Sequence, residues 1–496
     1  METELKFALS REARRAVEKV VGHEGDTARH NDISTYFDTP DLRLHKAGFS
    51  LRVRRRSDRN AYVQTVKAAG DSNLHRNEWE WPVEREAPEL GVLGEVPGLP
   101  SVLNGDGESL SEIFRTEVDR EQQTLHPMPG AAVELAVDQG VIVAGERRER
   151  LSELELELKD GTEEALLRLG LELTRAAPLS LLMESKAERG YRLHDGERAA
   201  AHKAPARALD GGMGTGNSFC RLVDFVLEHL LANQPAALRG DEVEGVHQMR
   251  VAVRRMRSLL VLFRPMLERQ AAERFEQELR QLGDVLGRAR DWDVFVDETL
   301  PAASGDGVPV GAIEALQGAA TERRHAARQE AKKAIAEPAF ARFVLALRTW
   351  SQAGAGAIEA RHADRHLAKA APGLLDRLER KLAKRLEKAD PDDAPSLHAV
   401  RKSAKKLRYG IEYFEAVYGD DTKEYLKRCN RLQKQLGVLN DLETATVRAG
   451  ELTDGRIDLV PALGLLAGWA AGKREPVLKK ALKAEHTFVR TTVFWR

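Results

Sequence analysis

Two motifs in the second half of this chain each occur twice, at nearly the same separation. Val246-His247-Gln248-Met249-Arg250, running on to Leu260, matches Leu397-His398-Ala399-Val400-Arg401, running on to Ile411, at an offset of 151. Leu286-Gly287-Arg288-Ala289-Arg290-Asp291 matches Leu436-Gly437-Val438-Leu439-Asn440-Asp441 at an offset of 150. A shared offset in two separate motifs marks a duplicated unit, and nearly everything beyond Ser218 has the 3.6-residue periodicity of helices rich in Leu, Ala, Arg, Glu and Lys. The pattern predicts two helical bundles related by a pseudo-twofold axis.

The first two hundred residues have a different texture. Short β-rich runs alternate between the two faces and are punctuated by turn residues: 50–56, 61–67, 78–83, 132–138 and 151–159. Helices are expected at 10–21, where Ser10 is the cap, and at 162–173. Many strands at short spacing point to a closed or nearly closed antiparallel barrel. From His194 to Asn217 the chain turns to Ala, Gly and Pro, including Gly211, Gly212 and Gly214, and reads as a linker. Those glycines follow no strand, so they are not a dinucleotide fingerprint. At 496 residues the chain exceeds what one core usually serves. The expected division is 1–193 as a β-tunnel domain, 194–217 as a linker and 218–496 as an all-α domain, a multidomain α+β protein.

Charge divides at the same place. Residues 1–200 hold 28 Lys and Arg against 38 Asp and Glu, a net of −10; the remainder holds 49 against 40, a net of +9. Opposite signs suggest two modules with different ligands, the basic one facing a polyanion. Cys220 and Cys429 are too few for a disulfide framework, which fits a reducing compartment. Met1 to Lys6 lacks the basic-then-apolar order of a signal peptide. The longest uncharged apolar run, 459–472, is too short for a comfortable membrane span and contains Pro461. A soluble, cytoplasmic protein is expected, with no membrane partner.

Glu2, Glu4 and Lys6 alternate with Thr3, Leu5 and Phe7, and on a strand residues two apart share a face. Glu153, Glu155 and Glu157 form a second acidic row, alternating with leucines. Arg52 and Arg54 form a basic pair, followed by Lys67, Arg76, Arg120 and Lys186 on later elements. Any one such row could be an exposed mixed-charge strand. Several complementary rows inside one small barrel are costly unless they hold something. Phosphoanhydride hydrolysis needs this set: carboxylates for a hard cation such as Mg2+ or Mn2+, and Arg and Lys for phosphate oxygens. No GxxxxGK[ST] loop or HExxH helix is present, so P-loop and zincin chemistry lack their motifs.

These residues carry a family likeness. Glu2-Thr3-Glu4-Leu5-Lys6 resembles the ExExK signature of the CYTH superfamily, the triphosphate tunnel metalloenzymes. The likeness continues through Tyr36-Phe37-Asp38-Thr39-Pro40, Leu51-Arg52-Val53-Arg54, Lys67, Arg76 with Glu78, Glu134 with Asp138, and Ser185-Lys186-Ala187-Glu188-Arg189-Gly190-Tyr191. It implies an eight-stranded antiparallel tunnel in which Glu2, Glu4, Glu153, Glu155 and Glu157 bind metal. Lys6, Arg52, Arg54, Lys67, Arg76, Arg120 and Lys186 would contact substrate, with Glu2, Glu4 and Lys6 as the catalytic residues. Glu78 and Glu134 could assist metal or water.

In the helical half, His247, Arg250, Arg254 and Arg257 lie at offsets of 3, 7 and 10, and His398, Arg401, Lys405 and Arg408 repeat them. At 100° per residue each set stays within roughly 80° of one helix face, along a line about 15 Å long. Such cations repel, so either solvent screens them or an anion runs along the stripe. The half resembles a CHAD domain, the conserved histidine α-helical domain, through both stripes and both Leu-Gly motifs. That likeness implies two four-helix bundles whose basic surface binds inorganic polyphosphate without catalysis. The histidines could bond phosphate as neutral donors or serve only in helix packing.

The expected function is metal-dependent hydrolysis of inorganic triphosphate or short polyphosphate in the tunnel, similar to bacterial inorganic triphosphatases, with polyphosphate held by the helical half. The alternatives are a noncatalytic polyphosphate-binding protein, an adenylate cyclase and a thiamine triphosphatase. Nucleic acid is disfavoured as a partner, because aromatics make up only 5% of the chain and do not interleave with the basic stripes. Polyphosphate granules are a place where such a protein would collect.

Overall fold

The computed structural model describes residues 2–22, 27–58, 61–70, 75–103, 110–196, 198–204, 209–239, 243–352, 357–453 and 456–496. Residues 197 and 205–208 of the expected linker lie outside the described residues. Two compact units are present, one of Met1–Ala201, Leu231–Asp241 and Ile335–Thr349, the other of His202–Leu230, Glu242–Ala334 and Trp350–Arg496.

The first unit is built on β1 (Glu2–Ala8), β2 (Ala28–Asp38), β3 (Phe49–Arg56), β4 (Tyr62–Ala69), β5 (His75–Val83), β6 (Ser111–Leu125), β7 (Ala132–Ala144) and β8 (Arg147–Asp160). They run in the order β5-β4-β3-β2-β6-β7-β8-β1, and β1 also pairs with β5, which closes an eight-stranded antiparallel barrel. A two-residue strand, β9 (Ser180–Leu181), adds to the far end of β1. Closure removes the unpaired edges that long strands would otherwise expose.

The alternation read from the sequence runs with polar residues inward and apolar residues outward. Leu154 and Leu156 of β8 and Phe7 of β1 are fully buried on the outer face. Two helices cover part of the barrel: α1 (Arg11–Val21), capped by Ser10 accepting from the Ala13 amide at 3.0 Å, and α2 (Glu163–Ala176). Each leucine removed from water there contributes roughly 1.5–3 kcal/mol, which offsets the cost of a charged lumen.

A third helix, α3 (Lys186–Asp195), starts with a capping box in which the Ser185 hydroxyl accepts from the Glu188 amide and the Glu188 carboxylate accepts from the Ser185 amide. That box fixes the first turn and so aims Lys186 into the barrel. Gly190 lies against Phe114; a Cβ at this position would come within 2.0 Å of the ring, which Tyr36 and Tyr191 hold from two sides. Gly190→Ala should therefore lower the thermal midpoint sharply, by the equivalent of about 1–3 kcal/mol for an overpacked core, as read by calorimetry. Asp38, fully buried, accepts from the amides of Thr39, Leu44 and His45 at 2.7–2.9 Å and locks the turn after β2.

The second unit is helical. Its principal helices are α4 (Thr215–Ala232), α5 (Val243–Phe263), α6 (Arg269–Val294) and α7 (Val310–Ala336), then α8 (Leu367–Glu387), α9 (Ala394–Tyr413), α10 (Thr422–Leu452) and α11 (Val460–Val489). The duplication shows in their joints. Gly214 and His366, each just ahead of the first helix of its half, form an antiparallel bridge, with Thr215 N donating to Arg365 O at 2.8 Å and Leu367 N to Met213 O at 2.9 Å. Pairing packs α5 on α6 and α9 on α10, and α5 also meets α9.

Candidate functional site

The barrel encloses a cavity of about 310 Å3 whose lining includes nine Lys and Arg and nine Asp and Glu side chains. Glu2, Glu4 and Lys6 of β1, Arg52 and Arg54 of β3, Lys67 of β4, Arg76 of β5, Arg120 of β6, Glu155 and Glu157 of β8 and Lys186 of α3 all line it. Glu153 is not among the lining residues. It is fully buried beside the cavity, in contact with Lys186 and, at 3.2 Å, Arg189.

Strand register explains the pairing. Glu4 stands opposite Glu157 and Lys6 opposite Glu155 across the β1–β8 ladder. Lys6 lies 2.9 Å from Glu4 and 3.4 Å from Glu155; Lys67 donates to Glu2 at 2.5 Å and approaches Glu78 at 3.2 Å. Arg120 bridges Asp138 and Glu155, at 2.5 Å each, and Lys186 reaches Asp138 at 2.7 Å and Glu155 at 2.9 Å. Burial opposes charge on Glu155, but Lys186, Lys6 and Arg120 outweigh it and hold the carboxyl well below its ordinary range. Burial also opposes charge on Lys6, and Glu4 and Glu155 override it, so the ammonium is firmly protonated. At Glu157 the balance reverses: burial, with Glu2 and Glu134 adding, outweighs Lys159 and raises the carboxyl.

Two acidic groups could hold a cation. Oxygens of Asp138, Glu153 and Glu155 lie within 4.8 Å of one another, but Lys186 already touches all three. Glu2, Glu4, Glu157 and Glu134 all lie on the cavity wall, where burial, and then Glu2 and Glu134, raises the Glu157 carboxyl. Glu2, Glu4 and Glu157 also touch Lys67, Lys6 and Lys159, so a cation held there would displace ammonium groups; the oxygen-only donor set suits a hard divalent ion.

One row was not singled out in the sequence. His30, Asp32, Ser34 and Tyr36 of β2 alternate into the same cavity, with Arg56 and Glu80 beyond them. The period-two signal was present, but only Tyr36 lay in a recognised motif.

In the helical unit the glycines of the repeated motif explain the repeat. Arg250 of α5 donates to Gly287 O at 2.8 Å and Asp291 at 2.9 Å, and a Cβ at Gly287 would meet its guanidinium at 3.4 Å. Arg401 of α9 lies near Gly437, where a Cβ would meet its Nε at 4.0 Å, and Asp441 is the strongest carboxylate influence on it. The inner members of the two stripes converge: after burial, Arg250 depresses the ionisation of Arg254, Arg250 and Arg254 that of Arg401, and all three that of Lys405. The outer members turn to other partners, although Arg408 still acts on Arg254. Arg257 faces Arg280, Asp284 and Glu276, while Arg408 donates to Glu412 at 2.9 Å and stacks on Tyr409.

The histidines flank the cluster. Burial first, then Arg290 and other nearby cations, pushes His247 down to about 4, and burial lowers His398, whose Nδ1 lies 2.5 Å from Asn440 Oδ1. Burial and then Arg401, Arg254 and Arg250 push Lys405 down to about 6.

Among the described residues no helix is long and apolar enough to cross a membrane.

Known proteins show the same two parts. Residues 221–449 match the CHAD domain and residues 1–191 the CYTH domain. The crystal structure of the CHAD domain from the plant Ricinus communis is 30% identical, with a TM-score of 0.52, over 58% of this chain and 96% of that one. An inorganic triphosphatase of Haemophilus influenzae is 32% identical over 162 residues, 32% of this chain and 45% of its own length, so the match spans less than half of that relative. An uncharacterised protein of Mycobacterium tuberculosis is 28% identical over 76% of this chain and 74% of its own. The chain thus belongs to the CHAD domain family through its helical part and carries a CYTH domain in the barrel that precedes it.

Proposed function

We propose that the barrel hydrolyses a phosphoanhydride bond of inorganic triphosphate or short polyphosphate with Mg2+ or Mn2+, and that the helical unit binds polyphosphate. The observation that carries this reading is the cavity lined by nine cationic and nine carboxylate side chains. Membership of the CYTH domain family and likeness to a protein named as an inorganic triphosphatase support it.

In this reading Glu2, Glu4 and Glu157, with Glu134 beside them, would hold the cation; Glu155 would join them as Lys6, Arg120 and Lys186 turn to phosphate, with Glu153 behind fixing Lys186. When bound, the ion supplies Lewis-acid polarisation of the phosphoryl group. Arg52, Arg54, Lys67, Arg76, Arg120 and Lys186 exchange carboxylate partners for phosphate oxygens, so the grip is preorganised before substrate arrives. Lys6, held protonated between Glu4 and Glu155, neutralises phosphate charge rather than accepting a proton. The test is phosphate release measured side by side on triphosphate, long polyphosphate, ATP and thiamine triphosphate, with and without metal. Fastest metal-dependent release from triphosphate is expected; binding of long chains with no hydrolysis would leave a noncatalytic binder, and cyclic AMP from ATP would identify a cyclase.

For the helical unit, a polyanion laid across Arg250, Arg254, Arg401 and Lys405 would raise Lys405 from its depressed value, because the charged form then gains a partner. The sign follows from linkage. Below about pH 6 Lys405 is charged with or without ligand and affinity is flat in pH. Above it, binding takes up a proton and affinity falls as pH rises, by at most about tenfold per unit. Calorimetry in buffers of different ionisation enthalpy should detect that proton, and Lys405→Met should remove it.

A further inference from the structure

We propose that Asp32 sets the length of phosphate chain the tunnel accepts. It places a buried acceptor carboxylate at the β3–β4 hairpin end of the cationic wall, where a continuing polyanion is repelled. The inference rests on the reading of the cavity as a phosphoanhydride site.

Along β3, Ser50, Arg52, Arg54 and Arg56 face the cavity in order toward the hairpin. Across the β2–β3 ladder Ser34 stands opposite Arg54 and Asp32 opposite Arg56. Asp32 is 6% exposed, and its Oδ1 has no hydrogen-bond partner among the described residues. The nearby cations are drawn mainly to other carboxylates: Arg120, opposite His30, feels Asp32 but is bound to Asp138 and Glu155. Arg54 Nη1 is 3.9 Å from Oδ2, and Arg54 also lies 3.4 Å from Glu80. Arg56, directly opposite, is turned to Asp58, with Nε and Nη2 donating at 3.0 and 2.9 Å.

His30 completes the arrangement without adding charge. Arg56 Nη2 lies 3.3 Å from His30 Nδ1, and a guanidinium can only donate, so the ring proton belongs on Nε2, 3.5 Å from Asp32 Oδ1. Burial lowers the ionisation of the ring, which keeps it neutral beside the carboxylate. The wall that grips phosphate at Arg52 and Arg54 therefore ends in a buried carboxylate with an open lone pair. A terminal phosphate that still carries a proton can donate to it; a further phosphate in the chain can only repel it.

The experiment compares the wild-type protein with Asp32→Asn, which keeps the shape and removes the charge. Two readouts are taken: kcat/KM on tripolyphosphate and tetrapolyphosphate with metal, and calorimetric affinity for the same two anions without metal. The expected result is at least about a tenfold shift of both ratios toward tetrapolyphosphate, equivalent to about 1.4 kcal/mol of relieved repulsion. Asp32→Glu should restore the preference for the shorter chain. Hydrolysis with unchanged ratios in both readouts would overturn the role of Asp32 while leaving the proposed reaction standing. Absence of hydrolysis with a shifted binding ratio would sink the proposed reaction and retain the length stop. If Asp32→Asn does not fold, Asp32→Ser, which removes the charge with a smaller polar side chain, carries the same comparison.

Discussion

Replacing Glu4 by glutamine should lower metal-dependent phosphate release from triphosphate by about two to three orders of magnitude, the range found when one preorganised electrostatic group is lost. Glu4 is 7% exposed and stands opposite Glu157, with Lys6 at 2.9 Å and Arg76 at 3.7 Å. The amide keeps the side chain's shape, so the barrel should fold, but it takes one charge from the proposed cation site. It also frees Lys6 and Arg76 from a competing carboxylate. Those cations then bind ground-state triphosphate at least as tightly, so kcat should collapse while KM holds or falls. A merely structural role for Glu4 would move both parameters together with the thermal midpoint. Normal turnover would remove the mechanism.

Charge reversal at Arg401 should weaken polyphosphate binding by about ten- to a hundredfold at low salt, on the scale of one to two charged contacts. The guanidinium lies among Arg250, Arg254 and Lys405, and its Nε is buried without a hydrogen-bond partner among the described residues. A glutamate there would turn a mutually repelling cluster into a paired one, so Arg401→Glu should raise the thermal midpoint even as binding falls. The opposite movement of the two readouts separates a ligand site from a packing site. The same preparation assayed on triphosphate tests whether the two units hold separate ligands; matched losses in both assays would contradict it.

Much of this was legible because secondary structure imposes short periods. A period of two put Glu2, Glu4 and Lys6 on one face and Arg52 with Arg54 on another, and the same faces line the cavity. A period of 3.6 put each His-led stripe on one side of a helix, and the repeat at an offset of 150–151 announced the two related halves. The capping residues Ser10 and Ser185 stand at helix starts because a hydroxyl there satisfies an otherwise unpaired amide.

What the periods could not supply is which rows meet. In Glu153, Glu155 and Glu157 the alternation treats three acids alike, yet closure of the barrel buries the first behind Lys186 and opens the other two to the cavity. The row His30, Asp32, Ser34 and Tyr36 looked like any polar strand until pairing with β3 and β6 brought Asp32 opposite Arg56 and His30 opposite Arg120. In the helical half the sequence separates Arg254 from Lys405 by one full repeat, 151 residues, and only the meeting of α5 with α9 makes them one cluster. Local periodicity is written in neighbouring residues, so the sequence determined the faces and the duplication. Register, barrel closure and helix crossing are settled by contacts between distant segments, so the tertiary structure decided which charges oppose, which are buried, and which remain open to a ligand.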